Sequence, residues 1–244
     1  MKTNLTAIIF GIAIVAAALV LGNAFMNRNH KQGTISVTGL GQSDFTSDLI
    51  VWNASYSQTN RDLKTAYADL QKNKDAILTY LVSKGIPGEN IVFSAVNTQK
   101  NSKSIYSDTG KFLGSEFTGY TLNQSVEIDS KEVEKVERIS REITELLNQG
   151  IQLYSSAPRY YYTKLDELKI EMISQATENA RLRAEKIATN SKSNLDDLVV
   201  AKMGIFQITG QNSNEDYSWG GAYNTTSKEK TASITMKLTY KVND

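Results

Sequence analysis

The sequence predicts an α+β domain with a largely antiparallel sheet, in the order ββαββαβαββ, preceded by one N-terminal apolar helix. Short runs rich in β-branched and aromatic residues come mostly in adjacent pairs, which is typical of antiparallel strands. Three longer segments carry apolar residues at three- and four-residue spacing, which indicates helices. Strands and helices do not alternate regularly, so a doubly wound parallel sheet is not expected.

The N-terminal segment, residues 1–26, is predicted to be a membrane anchor or a signal segment. From Leu5 to Met26, 18 of 22 residues are apolar and none is charged, and about 20 apolar residues span a bilayer as a helix. The small residues Gly22-Asn23-Ala24 allow the alternative of secretion after signal cleavage. Because the apolar core, residues 5–21, is longer than the roughly 7–15 residues of a usual signal peptide, we favour an uncleaved anchor.

A polar tether, residues 27–33, leads to a domain predicted over residues 34–244, as one body or two lobes. The predicted helices span residues 61–84, Ser130 to Gly150, and 164–189. The predicted strands are residues 34–38, 49–57, 91–98, 120–128, 151–162, 198–209 and 232–242.

Three further local features are predicted from this pattern. Residues 99–119 form a long hairpin whose arms extend the flanking strands. Pro158 cannot donate to a sheet ladder, so its strand is expected at a sheet edge or with a bulge. Alanines at four-residue intervals in the last helix allow that helix to lie close to a sheet or another helix.

The composition excludes several classes of site. The chain has no Cys and a single His, His30, so it cannot form disulfides or thiolate metal sites, and a Ser-His-Asp triad would depend on one residue in the tether. With 27 Lys+Arg against 26 Asp+Glu, the charge gives no sign of nucleic-acid binding. We predict no cofactor, no metal and no nucleic-acid partner.

Two acid pairs and one Ser-x-x-Lys spacing are the remaining candidates for catalysis. Asp166-Glu167 and Asp196-Asp197 are typical of a helix start and a strand entry, where acids face solvent or the helix dipole. Ser227 and Lys230 have the spacing of a Ser-Lys nucleophile, but that motif needs a helix and this segment is a polar loop before a strand. We predict that none of these is catalytic.

Aromatic side chains in two segments form the candidate interface. One group lies in the strand predicted over residues 151–162 and the other in the polar loop over residues 210–230. Tyr and Trp are favoured at protein interfaces, so contact with another subunit is expected; the alternative is core packing for the strand and local packing for the loop. The candidate residues are Tyr154, Tyr160, Tyr161, Tyr162, Tyr217, Trp219 and Tyr223.

Several phrases of the sequence are shared with a known family. The domain opens with Ile35-Ser-Val37-Thr-Gly39-Leu-Gly41, its first helix ends before Gly85-Ile86, residues 117–126 read FTGYTLNQSV, and an alanine-rich helix spans residues 176–188. In order and spacing, these features resemble the SIMPL-domain (DUF541) family, which includes bacterial periplasmic immunogens. The resemblance covers residues from about Thr34 to Val242.

The chain departs from the family pattern at a few positions. Asn123 comes one place early, the alanine-rich helix carries Thr177, Asn179 and Arg183, and residues 210–230 replace a loop that is often Pro-rich. The resemblance implies a mixed α+β domain, often exported, that can self-assemble into ring- or channel-like oligomers. No catalytic residues are established for the family, so none is carried over.

These observations lead to one functional prediction and one alternative. We expect a non-catalytic, self-assembling interaction or scaffold protein of the cell envelope, anchored in the inner membrane through residues 5–26 with its domain in the periplasm or outside. The resemblance adds an association with stress. Secretion to the periplasm after signal cleavage is the alternative location. The alternative function is a ligand-binding or hydrolytic enzyme that uses carboxylates and tyrosines.

Overall fold

The computed structural model describes residues 2–28 and 33–243, with side chains described at residues 9–25 and 33–243. The helices are α1 (Lys2–Arg28), α2 (Leu63–Ser83), α3 (Val133–Glu142) and α4 (Leu165–Asn190). The strands are β1 (Gly33–Thr46), β2 (Leu49–Asn60), β3 (Ile91–Phe93), β4 (Asn97–Tyr106), β5 (Phe112–Ser130), β6 (Leu153–Ser155), β7 (Arg159–Tyr161), β8 (Asn194–Met203), β9 (Gln207–Gly210) and β10 (Glu229–Asn243).

The strands form two sheets, and the predicted α+β class with antiparallel pairing is confirmed. One sheet has the order β3-β5-β2-β6, with β4 paired to β5 and β7 paired to β2; the other has the order β1-β10-β8, with β9 paired to β10. The chain divides into two compact units. One comprises residues 1–41, 173–204 and 234–244, and the other residues 42–172 and 205–233.

The larger unit has its core around β2. The side chains of Ile50, Trp52, Ala54 and Tyr56 alternate along β2 and are all buried, and α2 and α3 pack on the same sheet. The periodic residues predicted for the helices supply the other side of this core. They include Ala66, Leu70, Ile77 and Leu81 of α2 and Val133, Val136 and Ile139 of α3.

In the smaller unit, α4 lies against the sheet through a stripe of alanines. Ala176, Ala180, Ala184 and Ala188 are at most 1% exposed. A Cβ atom on Gly39 of β1 would lie 2.1 Å from the carbonyl oxygen of Ala176 and 2.5 Å from the amide nitrogen of Ala180. Such an approach is open only to glycine, so the predicted close packing of this helix is confirmed.

Three predicted strands are each broken by an irregularity, so the structure describes ten strands where seven were predicted. The strand predicted over 91–98 is divided into β3 and β4. Just after β3, the hydroxyl of Ser94 accepts a hydrogen bond from the amide of Ser125, and pairing with β5 resumes in β4. The strand predicted over 198–209 breaks at Gly204, whose amide donates to the carbonyl of Thr235 at 2.8 Å.

The third break surrounds Pro158 and divides the predicted strand 151–162 into β6 and β7. Both pair with β2 at the edge of the sheet, as predicted. Ser155 pairs with Ala54 and Arg159 with Val51. The chain thus advances four residues while β2 advances three, which is the extra residue of a bulge.

The predicted hairpin over 99–119 is confirmed. β4 and β5 pair from Asn97 and Asn123 out to Tyr106 and Phe112. The helix predicted from Ser130 to Gly150 is shorter as an α-helix: α3 ends at Glu142 and the chain continues to Gln149 as a 3-10 helix, which Gly150 ends with a left-handed φ of 76°.

The N-terminal prediction concerns residues that the structure describes only in part. Ile9 to Phe25 of α1 are exposed along their whole length. Among the described residues, no helix is both long and apolar enough to cross a bilayer. The tether predicted over residues 27–33 lies largely outside the described residues, as does His30, and the anchor over residues 1–26 stays a prediction.

Candidate functional site

The candidate interface residues divide into buried and exposed groups within the larger unit. Tyr160 is 8% exposed and belongs to the core, and Tyr161 and Tyr162 are half-buried. Tyr154 on β6 is 58% exposed. Core packing therefore accounts for Tyr160, and the contact of Tyr154, Tyr161 and Tyr162 with another subunit stays a prediction.

The loop between β9 and β10, residues 211–228, carries the exposed group. Tyr223 is 46%, Tyr217 68% and Trp219 97% exposed. The structure brings one member of each group together, because the rings of Tyr161 and Tyr223 have centroids 6.5 Å apart. We call residues 211–228 the aromatic loop.

The aromatic loop is held by the side chain of Gln207 at the start of β9. Its Oε1 accepts hydrogen bonds from the amides of Ser218 at 3.2 Å and Ala222 at 2.7 Å. Its Nε2 donates to the carbonyl of Ser218 at 2.8 Å. Gln207 is buried, and its three partly buried hydrogen bonds connect the two sides of the turn that carries Trp219.

Glu215 and Asn224 connect the ends of the same loop. Glu215 accepts a hydrogen bond from the amide of Gly210 at 3.0 Å through Oε2 and a further one from Asn224 Nδ2 through Oε1. Asn224 Oδ1 accepts from the amides of Thr226 and Ser227. These hydrogen bonds satisfy backbone amides at both ends of the loop and connect those ends to each other.

A buried lysine anchors the aromatic loop to β7. Lys230 of β10 is 1% exposed. Its Nζ donates to the carbonyl of Asn224 at 2.6 Å and to the carbonyl of Tyr160 at 3.1 Å. Burial lowers the pKa of Lys230 to about 8, and the more distant charge of Glu215 opposes that shift. The amide of Tyr160 also donates to Thr225 at 2.7 Å.

Removing the Gln207 contacts is expected to loosen the aromatic loop without unfolding the larger unit. In Gln207→Leu, the three hydrogen bonds are lost and the amides of Ser218 and Ala222 lose their partner, which costs roughly 1–3 kcal/mol. We expect amide hydrogen exchange in residues 217–223 to become at least about tenfold faster, while exchange in β2 stays the same. Equal exchange in wild type and variant would contradict this account of the loop.

The carboxyl groups with shifted pKa values do not form a general-acid site. Among the described residues, the shifted carboxyl pKa values are lowered. Hydrogen bonds from Arg141, and less from Lys228, lower the pKa of Glu137. Lys84 lowers the pKa of Glu142 in the same way, and Arg181 lowers the pKa of Glu178. A general acid needs the opposite shift.

The residues weighed for catalysis and metal binding lie on different elements. Asp166 is in the first turn of α4 and Asp196 accepts a hydrogen bond from Asn243. Ser227 precedes β10 and Lys230 lies within it, so no helix aligns their side chains. Within the described part of the chain, no three His, Cys, Asp or Glu residues are grouped to hold a metal ion.

Sequence reasoning found the aromatic residues but missed those that fix them. Gln207, Glu215 and Asn224 are ordinary polar residues in a polar segment, and nothing in their spacing predicts their contacts. One feature of the sequence points to Lys230: it is the single lysine in the series of alternate residues that faces the core in the last strand. That feature indicates a buried cation, which the structure shows.

One family model matches most of the chain. The SIMPL family, described as a protein of unknown function (DUF541), matches residues 35–243. No curated protein matches the chain. The match covers β1 to β10, including the two glycines after the first predicted strand and the alanine stripe of α4. The chain belongs to the SIMPL (DUF541) family.

Proposed function

We propose that this chain is a non-catalytic interaction or scaffold protein of the cell envelope, tethered to the membrane through residues 5–26 and self-assembling through the aromatic loop. The observation that carries the proposal is the 97% exposure of Trp219, on a loop that the side chain of Gln207 holds through partly buried hydrogen bonds. A large apolar side chain kept in water on a rigid support loses little conformational entropy when it enters a partner's pocket.

The surroundings of Trp219 support a protein contact. Tyr217 and Tyr223 are exposed aromatic residues on the same loop, and residues of this type are favoured at interfaces. The tether supports self-assembly in another way, because chains confined to one membrane meet at a raised effective concentration.

Trp219→Ala in the full chain is expected to weaken self-association by about 30-fold, which corresponds to the roughly 2 kcal/mol of a hot-spot residue. The mass of the detergent-extracted chain, measured by light scattering over a concentration series, reports this change. We expect a defined oligomer for wild type and a shift toward monomer for the variant at the same concentration.

Two further variants separate the possible contacts. Tyr67→Ala removes a half-exposed ring from α2 and is expected to leave the oligomer mass unchanged. Tyr154→Ala tests the exposed member of the strand group; if it lowers the mass and Trp219→Ala does not, the interface lies on β6. Monomeric wild-type protein at all concentrations would rule out self-assembly.

A further inference from the structure

A groove in the smaller unit lies between β1 and the C-terminal half of α4. Its volume is about 550 Å³, within the range of small-molecule sites. Its lining combines two cations, one amide, one hydroxyl and apolar side chains. These include Arg183 and Lys186, Asn179, Thr38, and Leu182 and Ile187.

The polar side of the groove is fixed by the edge of β1. Arg183 Nη1 donates to the carbonyl of Thr38 at 2.9 Å, and Asn179 Oδ1 accepts from the amide of Leu40 at 3.3 Å. Asn179 and Arg183 are two of the positions at which this chain departs from the family's alanine-rich helix. They satisfy backbone groups of an edge strand and orient the guanidinium at the groove.

The two cations of the groove are not neutralised by the acids of the same helix. Glu178 and Glu185 both pair with Arg181, which leaves Arg183 and Lys186 without an ion pair among the described residues. Arg181 is thus saturated by two carboxylates, and the positive charge on this stretch of α4 concentrates at the groove.

The apolar lining of the groove that is open to solvent also lies on α4. Leu182 is 47% and Ile187 46% exposed. Two cations beside such a lining match a ligand with an anionic group next to an apolar portion. Arg183 has remaining N–H donors for phosphate oxygens, and Lys186 adds a second point charge.

We propose that this groove binds the headgroup of an acidic phospholipid in the membrane to which the chain is tethered. The inference rests on the tether of the proposed function. Thr38 lies ten residues after Arg28, the last residue of α1, so an extended chain holds it within about 35 Å of the end of that helix. Basic side chains at such a position are attracted to anionic lipid surfaces.

The test uses the full chain in phosphatidylcholine nanodiscs, with and without phosphatidylglycerol. The readout is the rate at which an amine-reactive acetylating reagent modifies individual lysines, followed by mass spectrometry. We expect Lys186 to react about threefold or more slowly when phosphatidylglycerol is present. Lys192, just after α4, is the internal control in the same sample and is expected to keep its rate.

Two variants test the built site. Arg183→Gln removes the cation that lies beside Lys186 in the groove. Leu182→Asp places a negative charge on the apolar lining and leaves the contacts with β1 in place. Each is expected to restore the Lys186 rate in phosphatidylglycerol nanodiscs. Because Arg183 also contacts β1, the melting curve of Arg183→Gln is compared with that of wild type. If Arg183→Gln is unfolded, the result of Leu182→Asp decides.

Each outcome decides one question. A chain that does not co-elute with the nanodiscs overturns the tether of the proposed function. Co-elution with the same Lys186 rate in both lipids overturns the groove assignment, as does equal slowing of Lys186 and Lys192, which reports general surface attraction. If soluble glycerol phosphate protects Lys186 in phosphatidylcholine nanodiscs as well as phosphatidylglycerol does, the ligand is a soluble phosphate and the membrane assignment is wrong.

Discussion

Gly39→Ala is expected to destabilise the protein by about 3–5 kcal/mol, which approaches the whole stability of a typical domain. The new Cβ atom would lie 2.1 Å from the Ala176 carbonyl oxygen and 2.8 Å from the Ala180 Cβ atom. The nearest of these atoms belong to helix backbone and cannot rotate away. Relief requires β1 and α4 to separate, and the alanine stripe between them then loses its packing.

Urea unfolding of the full chain in detergent, followed by circular dichroism, measures this effect. Gly88→Ala is the matched control, since no atom lies within 4 Å of the position of its Cβ atom. We expect the control to change the free energy of unfolding by less than about 0.5 kcal/mol. If Gly39→Ala and Gly88→Ala have the same midpoint, the close approach of β1 to α4 is wrong.

Raising the pH from 8 toward 10 is expected to stabilise wild type relative to Lys230→Met by about 2–3 kcal/mol. Burial lowers the pKa of Lys230 to about 8 in the folded protein, against the ordinary value of 10.5 in the unfolded chain. Between these two values the unfolded state binds more protons than the folded state. The free energy of unfolding therefore rises with pH in this window, and it is flat below pH 8.

The comparison between variants isolates Lys230 from the tyrosines. Desolvation raises the pKa of Tyr56 and Tyr160 in the folded state, so their contribution to stability falls as the pH rises above 10. That loss is common to wild type and Lys230→Met and cancels in the difference. Lys202→Met, at an exposed position on β8, is expected to show the wild-type slope. A pH-independent difference between wild type and Lys230→Met would contradict the lowered pKa.

The parts of the fold that depend on local pattern were predictable. The alternation in β2 and β10 and the apolar stripes of α2 and α4 identify the core-facing residues directly, because burial repeats with the period of each element. The strand breaks were not predictable in the same way. Gly204, just after β8, donates its amide to Thr235, a residue 31 positions away, and no local signal reports such a contact.

In the candidate site, too, the residue types were predictable from the sequence and their contacts were not. The types of residue at an interface are visible in the sequence, so Tyr217 and Trp219 were identified as candidates. Which aromatic ring is buried depends on strand pairing: Tyr160 faces the core because it pairs with Ile50 of β2. The hydrogen bonds of Gln207 require the loop to close on itself, and the roles of Asn179 and Arg183 require β1 and α4 to meet.

The pairing of β1 with β10 determines when the smaller unit can complete its fold. Ser36 and Thr239 share a hydrogen bond at 3.1 Å across 203 positions of sequence. During synthesis β1 therefore emerges first, and its edge stays unpaired until the last strand is made. Such long-range closure is slow, and an unpaired strand is prone to aggregation. A chain cut short before β10 lacks the central strand of this sheet.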